Sequence, residues 1–547
     1  MVKRFLFISL ASCFFLVSAG YTLISLLQSA PPSVIVITVE SLRNDLVTDE
    51  NCPHLLQASQ RGIRFSRHRA VSGWTGNNIV SLLTGLTPFA SGVHTRGQSV
   101  DPESHLPLEL LAESGYRVEG TQGFMMMDIY RHLGLTVKPD TDDWLYSLSL
   151  LIQSGEPFFS WYHYVHTHLP YIAAGGYESD ISRALSQGQM DEDMRGRLLL
   201  VQNQSAIHHN QATFVAEDIP LVREMQLGTI REFDDWFARF WDFFINSGLQ
   251  RNTILVVTAD HGDGHGERGL VGHASTTLAG HLHEEIIRVP FIIWLPPRIA
   301  GSLPDVDSRQ MTTHEDLMPT IMGLLGQKHQ LSFKGRNIFT SSGDSTWLGM
   351  TSSGGFAEQD PANMRYFEYG IISEPWKLLY RTDHTQKGTY RLYNLEDDPG
   401  ELNNIGAFNP SIVDNLSSLL AEQIETRTIV QADIHAAVPG AAYHTAAPVW
   451  LHPPMDNRVF SYNDLREKFR LEWSGLADKV YVLQYIAGSG TQQISGLLEV
   501  QGTIIDFGKI SRRYWNTWVV SYSPFRIRVS ESGSGNWSNW LDLAAKP

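Results

Sequence analysis

Four apolar runs constrain the fold of this chain: "SVIVITV" from Ser33, "PFFSWYHYV" (157–165), "NTILVVTAD" (252–260) and "VPFIIWLP" (289–296). Each is short and rich in β-branched or aromatic residues, so each reads as a buried strand. Helical patterns lie between them. In "GTIREFDDWFARFWDFFINSG" (228–248), Ile230, Phe233, Phe237, Phe240, Trp241 and Phe244 recur at helical spacing with charges between them, which assigns those aromatics to the core. Strands alternating with helices predict an α/β fold with a doubly wound, mostly parallel sheet. Sites in such sheets form at the carboxyl ends of strands. Glu40, His166 and Asp260 each fall at or just beyond the end of one of these runs.

The flanks differ. Lys3 and Arg4 precede an uncharged run from Phe5 to Leu27, long enough to span a bilayer. Residues 1–30 therefore read as a membrane anchor, with a cleaved signal sequence as the rival. Either implies export of the remaining chain, to a bacterial periplasm or cell surface. Residues 31–430 read as a catalytic domain. Within it, 173–226 are more polar and less periodic, and read as an insertion or lid. An Ala-rich stretch (431–447) reads as a linker. Residues 448–547 carry short alternating strands punctuated by turns, as in an all-β sandwich.

The net charge of −16 comes without a basic stripe, which argues against nonspecific nucleic-acid binding. An acidic chain can still hold an anionic substrate, because a bound metal dominates its local field. The sharpest local signal is "TADHGDGHGERG": Asp260 and His261 end a strand and enter a Gly-rich loop. A carboxylate next to a neutral imidazole can offer both to one cation. Glu40 ends the opening strand. "HYVHTHLPY" packs three His, 163, 166 and 168, near another strand end, which suggests an anion or metal environment. "GHASTTLAGHLHEE" offers His273, His281 and His283, and His281 is favoured because it lies close before the "EEIIRVP" strand signal. In "SGWTGNNIVSLLTG" a lone hydroxyl, Thr75, stands where a turn enters a helix. A Thr is a poor nucleophile unless a metal or base removes its proton.

In order, "ESLRND", "WTGNN…SLLTG", "HLPY", "ADHGDGHGERG", "LHEEIIRVPFII", "DLMPTI" and "LYNLEDDPGE" resemble the sulfatase branch of the alkaline phosphatase superfamily. The resemblance implies a doubly wound α/β domain with a smaller C-terminal subdomain. Formylglycine sulfatases carry Cys or Ser followed by x-P-S-R where this chain reads Thr75-Gly76-Asn77-Asn78-Ile79, so no formylglycine is expected. A Glu, a Thr and an Asp-His pair look instead like the membrane-anchored lipoteichoic acid synthases and phosphoethanolamine transferases.

That likeness implies one divalent metal (Zn, Mn, Mg or Ca) held by Glu40, Thr75, Asp260 and His261, with Thr75 as nucleophile. Asn78, His168 and His281 would hold the non-bridging oxygens, and His166 and His283 would join the substrate side. The implied activity is hydrolysis of phosphate or sulfate esters. The alternatives are transfer of a phosphoglycerol or phosphoethanolamine group within the envelope, or a non-catalytic binding homologue. Roughly the last hundred residues resemble a fibronectin type III domain, whose ligand would be an envelope component or glycan.

Overall fold

The computed structural model describes residues 31–427 apart from 95–97, 102–103, 123–129, 131, 140–143, 188–189, 210, 275–279, 328–330, 332, 342–345, 353–366 and 383–387. Beyond these it describes 450–452, 459–460, 470–473, 480–487, 494–501, 504–506, 523, 525–531, 538 and 541–545. The expected anchor and linker lie outside the described residues. Among those described, no helix is long and apolar enough to cross a membrane.

The central sheet contains β1 (Ser33–Val39), β2 (Ile63–Arg64), β3 (Arg117–Gln122), β4 (Thr136–Pro139), β5 (Phe158–Tyr164), β6 (Thr253–Ala259) and β7 (Phe291–Trp294). Their order is β2-β7-β6-β1-β5-β3-β4. β1 pairs in parallel with both β5 and β6, and β3 in parallel with β5 and β4. Only β7 runs against the others, antiparallel to both β6 and the short β2. This is the expected mostly parallel α/β sheet.

Strand residues alternate between two cores. Val34, Val36, Phe159, Trp161, Ile254 and Val256 join one cluster, with α1 (Thr75–Thr84) contributing Ile79, Val80, Leu82 and Leu83. Ile35, Ile37, Val39, Tyr162, Leu255 and Val257 join the other, with the aromatics of α2 (Ile219–Asn246). Fully burying one such side chain is worth about 1.5–3 kcal/mol, so both faces of the sheet are held strongly. Phe233, Phe237, Phe240 and Phe244 are buried as the spacing predicted, while Trp241 is partly buried at the edge.

α2 starts nine residues before the aromatic pattern, at Ile219 rather than Gly228, with Pro220 in its first turn. Pro is well placed there because that N–H has no intrahelical partner. The stretch 173–226 is more ordered than its polarity suggested. It holds helices Asp180–Ser186 and Glu192–Asn203 and its own apolar core, including Leu185, Leu198, Val201, Phe214 and Val222.

A second sheet is fully antiparallel: β8 (Thr346–Ser352), β9 (Phe367–Ser373), β10 (Trp376–Thr382) and β11 (Gly388–Asn394), in that order. Lys377 of β10 is buried, its Nζ 2.9 Å from Glu401 Oε1 and 3.2 Å from Glu284 Oε1. Arg69 donates to the other Glu284 oxygen at 3.0 Å. Removing one partner leaves buried charge uncompensated. Lys377→Met should therefore cost about 3–5 kcal/mol, read as a lowered urea midpoint. A loss under about 1 kcal/mol would show that the Arg69 contact alone suffices. Beyond residue 450 the described elements are all strands, in sheets of three and five, with Trp473 and Tyr481 buried edge to face at 5.7 Å.

Candidate active site

β5, β1 and β6 are neighbours in register, Val39 facing Tyr164 on one side and Ala259 on the other. The residues just past these strand ends must therefore meet. Glu40 N donates to the Tyr164 carbonyl at 2.9 Å. Ser41 turns into the left-handed region (φ 57°), which aims its N–H at Asp260 Oδ1, 3.0 Å away. His261 N donates to the same oxygen at 2.8 Å. Glu40, Asp260 and His261 are fully buried, and their ligand atoms lie within 4.8 Å of one another.

Thr75 reaches this point from α1. Trp74 is the N-cap and makes no side-chain cap bond; Thr75 is the first helical residue. Its Oγ1 lies 3.1 Å from His261 Nε2 and 3.4 Å from each Glu40 carboxylate oxygen. The hydroxyl thus faces the acidic cluster and does not cap its own helix. The small residues of the turn have steric reasons. A Cβ on Gly76 would stand 2.5 Å from the Trp74 ring, and one on Gly73 would stand 2.8 Å from the His281 carbonyl.

Asn78 fixes the turn from within. Its Oδ1 accepts from Val71 N and Ser72 N at 3.1 and 3.0 Å, and its Nδ2 donates to Ser72 O at 2.8 Å. The amide expected to hold a substrate oxygen thus braces the backbone before Thr75. Asn78→Ala would leave buried N–H groups unmatched and should cost about 2–3 kcal/mol, read by thermal unfolding. An unchanged midpoint would mean that water replaces the amide.

Behind Glu40 stands a relay that sequence reasoning missed. Trp161 Nε1 donates to Thr38 Oγ1 at 3.0 Å, and Thr38 lies 2.7 Å from His163 Nδ1. His163 Nε2 then donates to Glu40 Oε2 at 2.9 Å. Burial holds His163 neutral, its pKa pulled down to about 4. Burial, then Asp260, raises the Glu40 carboxyl well above its usual range. Asp260 goes the other way, to about 2: burial opposes its charge, but His261 and His163 outweigh it.

Do these residues fit a cation? Asp260 Oδ2 is buried with no hydrogen-bond partner among the described residues, 3.3 Å from His261 Nε2. His261 Nδ1 donates to the Gly262 carbonyl at 2.7 Å. A carbonyl only accepts, so the neutral ring keeps its lone pair on Nε2. Lone pairs from Glu40 and His261 face Thr75 Oγ1, and Asp260 Oδ2 faces His261 Nε2 from the side. Protonating His261, which Asp260 and Glu40 favour against burial, relieves this partly. A divalent ion relieves it fully, and this mixed N/O donor set suits zinc or manganese.

The remaining histidines divide. The rings of His168 and His273 are centred 5.0 Å apart, and His273 is 4.2 Å from His261. Glu40, His168 and His273 form a second compact donor group. Burial, then the His273 neighbour, pulls His168 down to about 3. His281 packs on His283, rings 5.2 Å apart, and its Nδ1 has no hydrogen bond among the described residues. His283 Nδ1 lies 3.2 Å from Glu401, in the Lys377 network. His166 packs edge to face on Tyr164. Sequence spacing ranked His273 below His281 and gave Asp263 no role. The missed signal is the glycine-bounded hairpin, in which Gly264 pairs with Gly272 and returns His273 to the Asp260–His261 loop.

Comparison with known proteins agrees with this fold. The profile of the family described as Sulfatase matches residues 32–327, and that of N-sulphoglucosamine sulphohydrolase, C-terminal, matches 279–429. A multifunctional alkaline phosphatase superfamily protein, PehA, of Trinickia caryophylli is 24% identical over 202 residues, 34% of this chain and 37% of its own. The N-acetylglucosamine-6-sulfatase of Bos taurus is 23% identical over 299 residues, 48% and 51% of the two chains. The chain thus spans about half or less of these curated relatives. Among solved structures, the phosphonate monoester hydrolase of Agrobacterium radiobacter superposes with a TM-score of 0.54 at 18% identity, covering 72% of this chain and 96% of that one. At that identity the likeness concerns the fold.

Proposed function

The chain belongs to the sulfatase family, and from that premise we propose that it is a metal-dependent hydrolase of phosphate or phosphonate esters with Thr75 as covalent nucleophile. One observation carries this reading: Thr75 Oγ1 sits 3.1 Å from His261 Nε2 and 3.4 Å from both Glu40 oxygens. Glu40, Asp260 and His261 would hold a divalent ion, which would supply Lewis acidity to the ester oxygens and the Thr75 hydroxyl.

Thr75 Oγ bonds to phosphorus as the bond to the leaving oxygen breaks. That electron pair departs with the alcohol, which takes up a proton to match the one Thr75 sheds. Water then attacks phosphorus and frees Thr75. N–H groups of the first turn of α1 have no intrahelical partner and favour an anion beside Thr75. Asn78 acts by holding the Thr75 turn, and His163 by holding Glu40. His281, whose Nδ1 has no hydrogen bond among the described residues, is the histidine the family likeness assigns to the ester oxygens.

Sulfate esters are poorer candidates. A Thr cannot form the aldehyde hydrate that expels sulfate, and the modification pattern is absent at Asn77 and Ile79. Transfer to an envelope hydroxyl uses the same first half-reaction. The apolar Phe5–Leu27 segment favours that reading, and with it a membrane-anchored enzyme facing out of the cytoplasm. The C-terminal strands would then hold an envelope or glycan ligand as a fibronectin type III-like module. The test is turnover of aryl sulfate, phosphate monoester, phosphodiester and phosphonate by metal-loaded full-length protein. Sulfate turnover without phosphoryl turnover would defeat the proposal.

A further inference from the structure

We propose that Gln226 is a positioning residue of the Glu40–Asp260–His261 centre: its side-chain amide holds the Ser41 turn that aims Asp260. This rests on the reading of that centre as a cation site and adds a residue that touches neither cation nor ester.

Ser41 carries the strain. It adopts φ 57°, a region in which a residue with a Cβ persists only where its surroundings hold it. That conformation turns the Ser41 N–H onto Asp260 Oδ1. His261 N donates to the same oxygen, so Oδ1 is occupied and Oδ2 is the oxygen left for a cation. The Ser41 turn thus sets the rotation of the Asp260 carboxylate. It also sets the path of Glu40, the residue before it.

The Gln226 amide holds this turn. Its Nε2 donates to the Ser41 carbonyl at 3.1 Å and to the Thr167 carbonyl at 3.4 Å. Thr167 Oγ1 in turn donates to the Glu40 carbonyl. One amide therefore ties the chain just past β1 to the chain just past β5. Its Oε1 accepts from His265 Nε2 at 2.6 Å, and His265 Nδ1 accepts from Arg43 at 3.1 Å. Both directions are forced. Carbonyls only accept, so the amide nitrogen must face Ser41 and Thr167; a guanidinium only donates, so His265 Nδ1 must hold the lone pair. Burial, then the Arg43 charge, keeps that ring neutral. Ser41, Thr167, Gln226 and His265 are all fully buried, so bulk water cannot replace a bond that is lost.

α2 brings Gln226 to this place. Val222 and Met225 of that helix join the core of the 173–226 stretch, and Leu227, Ile230 and Phe233 join the sheet core. Gln226 stands at the change-over, a polar side chain in a buried run that packing alone would fill with an apolar one. Its two donors and one acceptor lie where these partners require them. An apolar residue supplies none of the three, and a carboxylate supplies no donor.

The test is Co²⁺ affinity by calorimetry in the chelated full-length protein, followed by ester kinetics. Gln226→Met keeps the volume and removes the bonds to Ser41, Thr167 and His265. It should weaken Co²⁺ binding roughly tenfold or more. At saturating Co²⁺ it should still lower kcat roughly tenfold or more, with KM changed less than about twofold, because the ester does not touch it. Met225→Ala, one residue away, loses core packing instead: its thermal midpoint should fall while Co²⁺ affinity stays within about twofold of wild type. A Gln226→Met protein that binds Co²⁺ as wild type does would overturn the inference and leave the hydrolase reading intact. Equal losses of affinity in Gln226→Met and Met225→Ala would also overturn it, by making the effect one of stability. No Co²⁺ uptake by wild type would overturn both. Uptake without ester turnover by wild type would end the hydrolase reading alone, and the affinities would then decide this one. Should Gln226→Met not fold, His265→Phe decides. It leaves the amide donors and removes the group that orients them, so Co²⁺ affinity should drop several-fold; an unchanged affinity would overturn the inference.

Discussion

Thr75→Ala should lower turnover by roughly a thousandfold or more, while folding and metal content stay close to wild type. The change removes one buried hydroxyl from the first turn of α1. Its partners are Glu40 and His261, and Trp74 occupies the N-cap position, so no capping bond is lost. A cap would have predicted the opposite pattern, about 1 kcal/mol of stability lost and catalysis spared. Thr75→Ser keeps the attacking oxygen and should retain part of the activity. Thr75→Cys should not yield a formylglycine enzyme, because Asn77 and Ile79 stand where that modification needs Pro and Arg. Intact-mass measurement with a slow phosphodiester adds the direct reading: a phosphoryl adduct on Thr75→Ser or wild type, none on Thr75→Ala. An active Thr75→Ala enzyme without an adduct on wild type would end the nucleophile assignment.

The sheet was legible because its strands are buried on both faces. That forces near-continuous apolar runs such as "SVIVITV", which no amphipathic helix resembles. The α2 aromatics were legible for a related reason: a wide apolar stripe at helical spacing has one place to go. Glu40 and Asp260 could be paired because they end neighbouring parallel strands. The rest of the site depends on tertiary return. His273 reaches His261 only through a two-residue-strand hairpin, and sequence spacing alone favoured His281, which lies nearer the "EEIIRVP" strand signal. Asn78 was singled out because an amide beside a nucleophile often contacts substrate. Its partners in the fold, Val71 N and Ser72 N, are backbone groups that no residue pattern advertises. His163 sits inside β5 as a polar residue in a buried strand. Such a position needs a polar partner, and Glu40 supplies it. The internal order of the stretch 173–226 was not legible because its helices carry a narrow apolar face on mostly polar residues, so its small core appears only once Leu185, Leu198 and Val222 meet.

Glu40→Gln should have the broadest effect on the metal centre. Glu40 belongs to both compact donor groups, so the amide should reduce Co²⁺ uptake and lower turnover by about a thousandfold or more. The apo-protein should not suffer in proportion. Burial, then Asp260, already raises the Glu40 carboxyl well above its usual range, which means that its charge opposes folding when no cation is present. A raised carboxyl destabilises the metal-free fold increasingly as pH climbs through its unfolded value. A neutral amide of the same shape removes that cost and can still accept from His163 Nε2. Chelated Glu40→Gln should therefore melt at or above chelated wild type near neutral pH, and the difference should shrink as pH falls toward the carboxyl's ordinary range. Adding metal reverses the order. Wild type gains stability in proportion to the logarithm of cation over dissociation constant, and the variant gains little. Thermal unfolding of both proteins, with chelator and with Co²⁺, reads all four values. A chelated variant several degrees less stable than chelated wild type would show Glu40 to be a structural carboxylate, kept for its bond to His163, and would remove the physical basis for the cation site.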